Sequence, residues 1–282
     1  MIISIITINR DNSSGLKKTM QSVLRQGEKD FEYIVVDGAS TDESVEVIEG
    51  LVPAFGKRMK WISEPDKGIY NAMNKGIRMA SGEYVEFLNS GDCLVSDDVV
   101  GRMVDALGKE QYPSILYGNM IKVYPDGHKF KDLCFAGKEI SFLGFYAGTL
   151  NHSPAYIRKS LFEKYGMYDE SLKIVSDWKW YLQAIIFGEE KPVYADIDVT
   201  LFDMTGISVT NKGLDKKERR IVLSELVPAP ILADYDRYSF AIELYKRLKR
   251  HPWAYKLVWF LERVLFKFEK SIRKRTKISE YK

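Results

Sequence analysis

Four acids stand at points of this chain where a carboxylate can do more than keep a surface wet: Asp37, Asp66, Asp92 and Asp177. Asp92 closes Asn89-Ser90-Gly91-Asp92, a small polar turn after the mostly apolar run Tyr84-Val85-Glu86-Phe87-Leu88. Such a turn with an acid at its tip suits a divalent ion carrying a diphosphate. Hard ions such as Mn²⁺ or Mg²⁺ prefer oxygen, and Mg²⁺ often takes only one or two protein carboxylates beside phosphates and water. The plainer reading is a turn that only ends a strand. Asp37 ends Tyr33-Ile34-Val35-Val36, where a carboxylate can tell donors from acceptors on the edge of a base. In Glu64-Pro65-Asp66-Lys67-Gly68, the proline stiffens the approach and the glycine lets backbone come close before a helix whose N-terminus favours anions. Asp66 is also placed to cap that helix. Asp177, in Ser176-Asp177-Trp178-Lys179, falls in the first turn of a helix with Ser176 at the N-cap.

Two other acidic groups look structural. Asp97-Asp98 resembles a paired-carboxylate site, but Ser96 or Asp97 ahead of Val99-Val100 fits an N-cap with acids at the positive end of the helix dipole. Ser40-Thr41-Asp42-Glu43 has capping-box spacing, so Ser40 and Glu43 are expected to start a helix and Asp42 to be structural.

The elements that must position these residues alternate over the first ninety positions. Strands are expected at 2–8, 33–36, 60–63 and 84–88, and helices at 16–24, 44–51 and 69–79. This pattern predicts an α/β fold with a mostly parallel sheet flanked by helices. Ligands in such sheets bind beyond the carboxyl ends of the strands. Thr7 to Arg10, Asp37 and Asn89 to Asp92 all follow strands and should meet at one edge. Beyond Asp92 come a helix over 98–107, a hairpin about Asp126-Gly127, and a mixed block to about Phe202. Val227-Pro228-Ala229-Pro230 marks a break before a basic, aromatic tail, which divides the chain into 1–228, itself split near 92 and 93, and 229–282.

Val35-Val36-Asp37-Gly38, the segment from Ser63 to Asp92, and Ser176-Asp177-Trp178, in this order, resemble the family-2 glycosyltransferases of GT-A fold, and among them bacterial surface-polysaccharide enzymes of the colanic-acid type. The resemblance covers about residues 1 to 210. It implies an inverting enzyme that moves a sugar from a nucleotide diphosphate to an acceptor hydroxyl, such as that of a polyprenyl-linked saccharide. It implies Asp177 as general base, Asp92 as ligand of Mn²⁺ or Mg²⁺, and a donor site of Thr7, Asn9, Arg10, Asp37, Asp66, Gly68, Asn74, Asn89, Ser90 and Gly91. It places His152, Trp178 and Ser208 near the acceptor or the diphosphate, Ser208 in a loop that can close over the donor. Most relatives carry a second acid in the turn where this chain has Asn89-Ser90-Gly91. A lone His152 is otherwise a satisfied structural histidine, Trp178 is either a sugar-stacking wall or core, and Trp180 is core. Retention of Asp37, Asp92 and Asp177 together favours an active enzyme over a silent sugar-nucleotide-binding or scaffold relative.

Composition narrows the alternatives. The 282 residues, 45% hydrophobic, suffice for a full core. Two cysteines 41 positions apart, Cys93 and Cys134, indicate neither a disulfide framework nor a zinc site, and a reducing cytosol is the default. The opening Met-Ile-Ile-Ser-Ile-Ile-Thr has the character of a strand, not a signal peptide. No run reaches the roughly 18 apolar residues of a membrane span. No glycine-rich loop follows the first strand, against a nucleotidyltransferase or a dinucleotide dehydrogenase. Between Tyr245 and Lys277 twelve Lys or Arg face two Glu. There, Trp253, Leu257, Phe260, Val264 and Phe268 recur at helical spacing. A basic helix with aromatics suits an anionic membrane surface, which would place the protein on the cytoplasmic face of the plasma membrane. The alternative is a helix packed on the catalytic domain or a second subunit. No recognition motif for nucleic acid accompanies the charge.

Overall fold

The computed structural model describes residues 3–206 and 211–279. They divide into two compact units, residues 1–222 and 223–282.

The first unit is built on strands that are mostly apolar, with a few buried polar residues such as Ser4, Thr7 and Glu32. β1 (Ile3–Asn9) and β2 (Phe31–Asp37) are buried along their whole length, as required of strands covered on both faces. They lie parallel to each other, β2 parallel to β3 (Met59–Ser63), and β1 parallel to β4 (Tyr84–Phe87). The register sets Asn9 beside Asp37 and Asp37 beside Ser63. Three strand ends therefore reach one edge of the sheet at the same level, as the alternating pattern predicts.

The second half departs from a parallel arrangement. The described strands form one nine-stranded sheet in the order β3-β2-β1-β4-β8-β6-β9-β5, with β7 on the edge of β6. β8 (Ala155–Arg158) runs antiparallel to both β4 and β6 (Ile115–Val123). β9 (Val193–Asp203) is parallel to β6 and antiparallel to the short β5 (Cys93–Leu94). The Asp126-Gly127 turn closes the β6–β7 hairpin (β7, Lys129–Asp132). The sheet is thus mixed, because half of the adjacent pairs come from hairpins and returns instead of βαβ crossovers.

Helices cover both faces, and the second half adds the short α5 (Phe142–Ala147), α6 (Ser160–Tyr165) and α7 (Ser176–Tyr181). Leu16, Met20 and Val23 of α1 (Ser13–Leu24), Ile48 and Phe55 of α2 (Ser44–Phe55) and Val99, Val100, Met103 and Leu107 of α4 (Val99–Lys109) form one cluster with Ile3, Ile5, Tyr33 and Tyr84. α3 (Ile69–Met79) presses closely on β1, and a Cβ at Gly76 would lie 2.4 Å from Ile6 Cγ2. Two expected caps are made differently. Ser40 does not start α2, because its hydroxyl oxygen accepts from Asp11 N while it donates to Asp37; Asp42 accepts from the Ser44 backbone and hydroxyl instead. α4 receives its cap from afar, the Gln26 amide oxygen accepting from Val100 N at 3.0 Å, while Ser96 bonds to Asp98.

The second unit carries α9 (Ala229–Lys249) and α10 (Pro252–Ser279). Pro228 and Pro230 fall at the start of α9, where a missing N–H costs nothing. Tyr245 meets Tyr255 with ring centroids 5.9 Å apart, and the Arg263 guanidinium lies 4.2 Å from the Trp259 ring. Trp253, Leu257, Phe260, Val264 and Phe268 are all exposed, Trp253 to 71%. Among the described residues no helix is long and apolar enough to cross a membrane.

One buried acid makes stability depend on pH. Glu86, on β4 beside Tyr156, is fully buried, and burial pushes its carboxyl from 4.5 up to about 8, with Tyr156 opposing. Between those values the unfolded chain releases a proton that the folded chain keeps, so stability is full below pH 4.5 and is lost as pH rises toward 8. Glu86→Gln removes the titrating group at nearly constant shape. Denaturant unfolding should show the wild type losing on the order of 3 kcal/mol between about pH 5 and pH 8, and the variant much less; parallel profiles would show that Glu86 ionises normally.

Candidate active site

The carboxyl ends of β1 and β4, the start of α3, the residues around His152, the start of α7 and the end of β9 enclose a cavity of about 820 Å³. Its wall includes Asn9, Arg10, Asp66, Gly68, Asn89, Ser90, Asp92, His152, Asp177 and Trp178 of the expected set. Thr7, Asp37, Asn74 and Gly91 are not on the wall, and Ser208 lies outside the described residues.

Each residue off the wall has an internal task. Thr7 Oγ1 donates to Leu88 O at 2.6 Å and accepts from Tyr33 Oη at 2.9 Å, which ties β1 to β2 and β4. Asp37 is fully buried and accepts four hydrogen bonds, from Asn9 Nδ2, Ser40 N, Ser40 Oγ and Ser63 Oγ. Burial works to raise its pKa, but the bonds from Ser40, Ser63 and Asn9 outweigh it and hold the carboxyl below the ordinary range. The side chain that this anion fixes in place, Asn9, is on the wall, and Asn9 Oδ1 is buried without a partner. Asn74 joins α3 to the loop before α7, donating to Tyr168 O and Glu170 and accepting from Tyr168 N. Asp66 makes the expected contact at the start of α3, Oδ1 accepting from Gly68 N at 2.9 Å; it lies 3.9 Å from Arg10 Nη1 and lines the cavity.

The turn after β4 is held by Thr19 of α1, whose hydroxyl donates to Asp92 O and accepts from Gly91 N. Gly91 has φ +107°, a conformation that disfavours any side chain, with Asp203 Oδ2 3.4 Å from where a Cβ would be. Asp92 is 4% exposed and its Oδ1 accepts from Asp203 N at 2.9 Å. Burial pushes its carboxyl up to about 7; the Asp203 N–H and His152 oppose the shift, and the Asp203 carboxylate adds to it. A second acid therefore does stand beside this turn, supplied by the end of β9 instead of by the turn itself. Among the described residues no group of three or more His, Cys, Asp or Glu gathers as a metal cage. Two adjoining carboxylates, one buried with little compensation, fit a hard cation that completes its shell with phosphate oxygens and water.

Asp177, in the first turn of α7 (Ser176–Tyr181), is bonded on both oxygens. Tyr70 Oη donates to Oδ1 at 2.9 Å, and His152 Nδ1 lies 3.0 Å from Oδ2. Burial raises the Asp177 pKa, but the bond and charge of His152 and the bond from Tyr70 bring it below the ordinary range. For His152, burial disfavours the cation, and the bond and charge of Asp177 with the charge of Asp92 more than restore it, so the imidazole is raised. On its other side His152 Nε2 lies 3.4 Å from Asn89 Nδ2.

The start of α7 is not capped by Ser176, whose buried hydroxyl has no partner. Instead Glu218 of α8 (Lys212–Leu226) accepts from the backbone N–H groups of Lys173, Ile174 and Val175. These bonds fix the segment that leads into α7, and the carboxylate also lies at the positive end of that helix. Arg219, the next residue, lies 4.5 Å from the centre of the Trp178 ring, bonds to Gly148 O, and pairs with Asp215 at 3.2 Å. Trp178 donates its indole N–H to Phe145 O, so it is at once core and cavity wall. Trp180 is core, stacked on Phe162. Glu218, Arg219, Tyr70 and Asp203 had no place in the sequence expectations; only Asp203, an acid at a strand end like Asp37, carried a usable signal.

Comparison with known proteins agrees with this architecture. The family model described as glycosyl transferase family 2 matches residues 3–166. An uncharacterized glycosyltransferase of Mycobacterium tuberculosis is 35% identical over 208 residues, 73% of this chain and 76% of the relative. A PGL/p-HBAD biosynthesis glycosyltransferase of Mycobacterium bovis is 26% identical over 216 residues, 77% of this chain and 82% of the relative. The crystal structure of S. aureus TarS 1-349 in complex with UDP shares the fold with a TM-score of 0.61 at 20% identity, over 72% of this chain and 60% of that one. This chain therefore spans less than two thirds of the TarS structure. The mannosyltransferase PcManGT from Pyrobaculum calidifontis, in complex with GDP-Man and Mn²⁺, aligns with a TM-score of 0.54 at 15% identity over 71% of this chain and 56% of that one. The chain belongs to glycosyl transferase family 2, and it is a glycosyltransferase with a GT-A-like mixed α/β fold.

Proposed function

We propose that this enzyme transfers a sugar with inversion from a nucleotide diphosphate to the hydroxyl of a saccharide acceptor, in the assembly of a surface glycan on a lipid carrier. The observation that carries the reading is the co-occurrence on one cavity wall of an under-compensated buried carboxylate, Asp92, and a hydrogen-bonded proton-accepting pair, Asp177 and His152. Sugar transfer requires both: charge neutralisation at a departing diphosphate and removal of a proton from the attacking hydroxyl.

In this reading the nucleoside lies at the β1 and β2 ends. Arg10 and Asp66 border it, and Asp37 acts through Asn9, whose free Oδ1 accepts an N–H of the base. Gly68 and Asn89 to Ser90 admit the diphosphate. Asp92 and Asp203 would hold Mn²⁺ or Mg²⁺, which supplies neutralisation of the charge that develops on the leaving oxygens. The Asp177–His152 pair receives the acceptor's proton, and Trp178 flanks the sugar. The fold neighbours crystallised with UDP, with UDP-GlcNAc, and with GDP-Man and Mn²⁺ favour a nucleotide donor and a metal for this chain also.

The test is calorimetric titration of UDP, GDP and dTDP with and without Mn²⁺. One nucleotide should bind, more tightly with the ion, and Asp92→Asn should remove the Mn²⁺-dependent part, a loss of about tenfold or more in affinity. Equal binding by wild type and variant would take Asp92 out of the donor site.

The α10 helix supports a peripheral membrane role. Its exposed Trp253, Leu257, Phe260, Val264 and Phe268 share the helix with Lys256, Arg263, Lys267 and Lys270, and each basic residue near an anionic surface contributes about 1 kcal/mol. Changing these four basic residues to Glu in the full chain should release the protein from phosphatidylglycerol vesicles in a sedimentation assay and leave nucleotide binding intact. Unchanged sedimentation would assign the apolar face to another protein surface.

A further inference from the structure

We propose, resting on the transferase reading of the cavity, that Glu218 of α8 is a positioning residue for the reaction: it holds the backbone ahead of α7 so that Asp177 meets the attacking hydroxyl in line.

Asp177 stands where the chain has little regular structure to fix it. Residues 166–175 form neither helix nor strand. α7 itself runs for six residues before it passes into a π-helical stretch, Leu182–Phe187, and no side chain at its N-cap closes its start. The anchors come from elsewhere in the chain. From α3, Asn74 donates to Tyr168 O at 2.9 Å and accepts from Tyr168 N at 3.0 Å, and Asn71 donates to Glu170 at 2.7 Å. These bonds hold residues 168–170. The last three residues before Ser176 are held by Glu218, which takes the Lys173 N–H on Oε1 at 2.8 Å and those of Ile174 and Val175 on Oε2 at 2.9 and 3.3 Å. Glu218 is 6% exposed, whereas its neighbours Lys216, Lys217 and Arg220 are exposed. A carboxylate has thus been taken out of water and set against three backbone donors, where an ionised acceptor binds more strongly than a neutral one.

The same segment carries the connection to the base. Ile174, whose N–H Glu218 takes, presents its carbonyl to Tyr70: Tyr70 Oη lies 2.5 Å from Ile174 O and 2.9 Å from Asp177 Oδ1. One hydroxyl proton faces two acceptors, so a shift of Ile174 changes the share left for Asp177. Glu218 therefore acts on Asp177 along the chain through Ser176 and across the Tyr70 hydroxyl. By contrast Asn9, Asp66 and Asp92, the donor wall in this reading, belong to β1, the segment before α3 and the turn after β4, outside the backbone that Glu218 holds.

Glutamine breaks the grip at nearly constant shape. It has one acceptor oxygen where Glu218 has two, and its NH₂ only donates. In either orientation it turns N–H toward backbone N–H, so part of residues 173–175 must let go. Misplacing a reacting group by about 1 Å costs up to about a hundredfold in rate.

The experiment follows hydrolysis of UDP-, GDP- and dTDP-hexoses by the full chain, read as nucleoside diphosphate released, beside calorimetric binding of the same nucleotides. Water then stands in for the acceptor hydroxyl and must lose its proton to the same group. Glu218→Gln should lower kcat about tenfold or more and leave KM and nucleotide affinity unchanged. Glu218→Asp, which keeps both acceptor oxygens, should recover part of kcat. With Asp177→Asn in place, Glu218→Gln should cost no further rate, because the group it positions is gone. A wild-type kcat in Glu218→Gln, a loss of nucleotide affinity as large as the loss of kcat, or a full further loss on top of Asp177→Asn would each overturn the positioning role. If Glu218→Gln does not fold, Glu218→Asp decides by the same division between kcat and KM. A wild type that binds and hydrolyses none of these nucleotide sugars contradicts the transferase reading itself, and the positioning role falls with it; wild-type turnover with unimpaired Glu218 variants contradicts the positioning role alone.

Discussion

The organisation of the site depends on one run of hydrogen bonds, Tyr70 to Asp177 to His152 to Asn89. Tyr70 and Asn89 come from the parallel first half of the sheet, His152 and Asp177 from the mixed second half. A carboxylate in a place this poor in water is costly unless it is hydrogen-bonded. Here the Tyr70 hydroxyl and the His152 imidazole supply those bonds to Asp177. The two halves of the chain are thereby joined at the point where the proposed reaction would bring donor and acceptor together. Catalysis by alignment needs that rigidity, since small errors in the approach of the reacting atoms are expensive.

The other acids illustrate three ways in which a fold treats a buried carboxylate. Asp37 is saturated with donors, stays ionised, and works as a structural anion under Asn9. Glu86 has almost no donors and is held toward its neutral form in the core. Asp92 lies between: one backbone donor, a neighbouring carboxylate, and a place on the cavity wall. Only the third arrangement calls for a charge from outside the chain, which is why Asp92 and not Asp37 is the residue proposed to seat a metal-bound diphosphate.

Much of this was legible in the residues. The order and approximate limits of the first seven elements followed from apolar periodicity, α3 to the residue, because Gly68 and Ala80 bound an unambiguous helical pattern. Strand ends located the cavity edge, since parallel strands deliver their carboxyl termini together. What escaped were contacts made by residues distant in sequence. The Glu218 carboxylate that caps the segment before α7 sits in Lys216-Lys217-Glu218-Arg219-Arg220, where nothing local distinguishes one buried acid from a solvated charged face. Gln26 displaced a local cap in the same way. The capping-box spacing of Ser40 misled because its hydroxyl oxygen accepts from Asp11 N while its proton goes to Asp37, both partners lying before it in the chain. The mixed second half of the sheet was not derivable from short apolar runs, whose pairing is decided by tertiary context.

The most direct test of the account is a crystal structure of the protein with Mn²⁺ and the nucleoside diphosphate that binds it. The account predicts the base beside Asn9 and Asp66, the diphosphate and the ion against Asp92 and Asp203, and His152 still bonded to Asp177. A nucleotide seated elsewhere, or one bound with the Asp177–His152 pair broken, would contradict it.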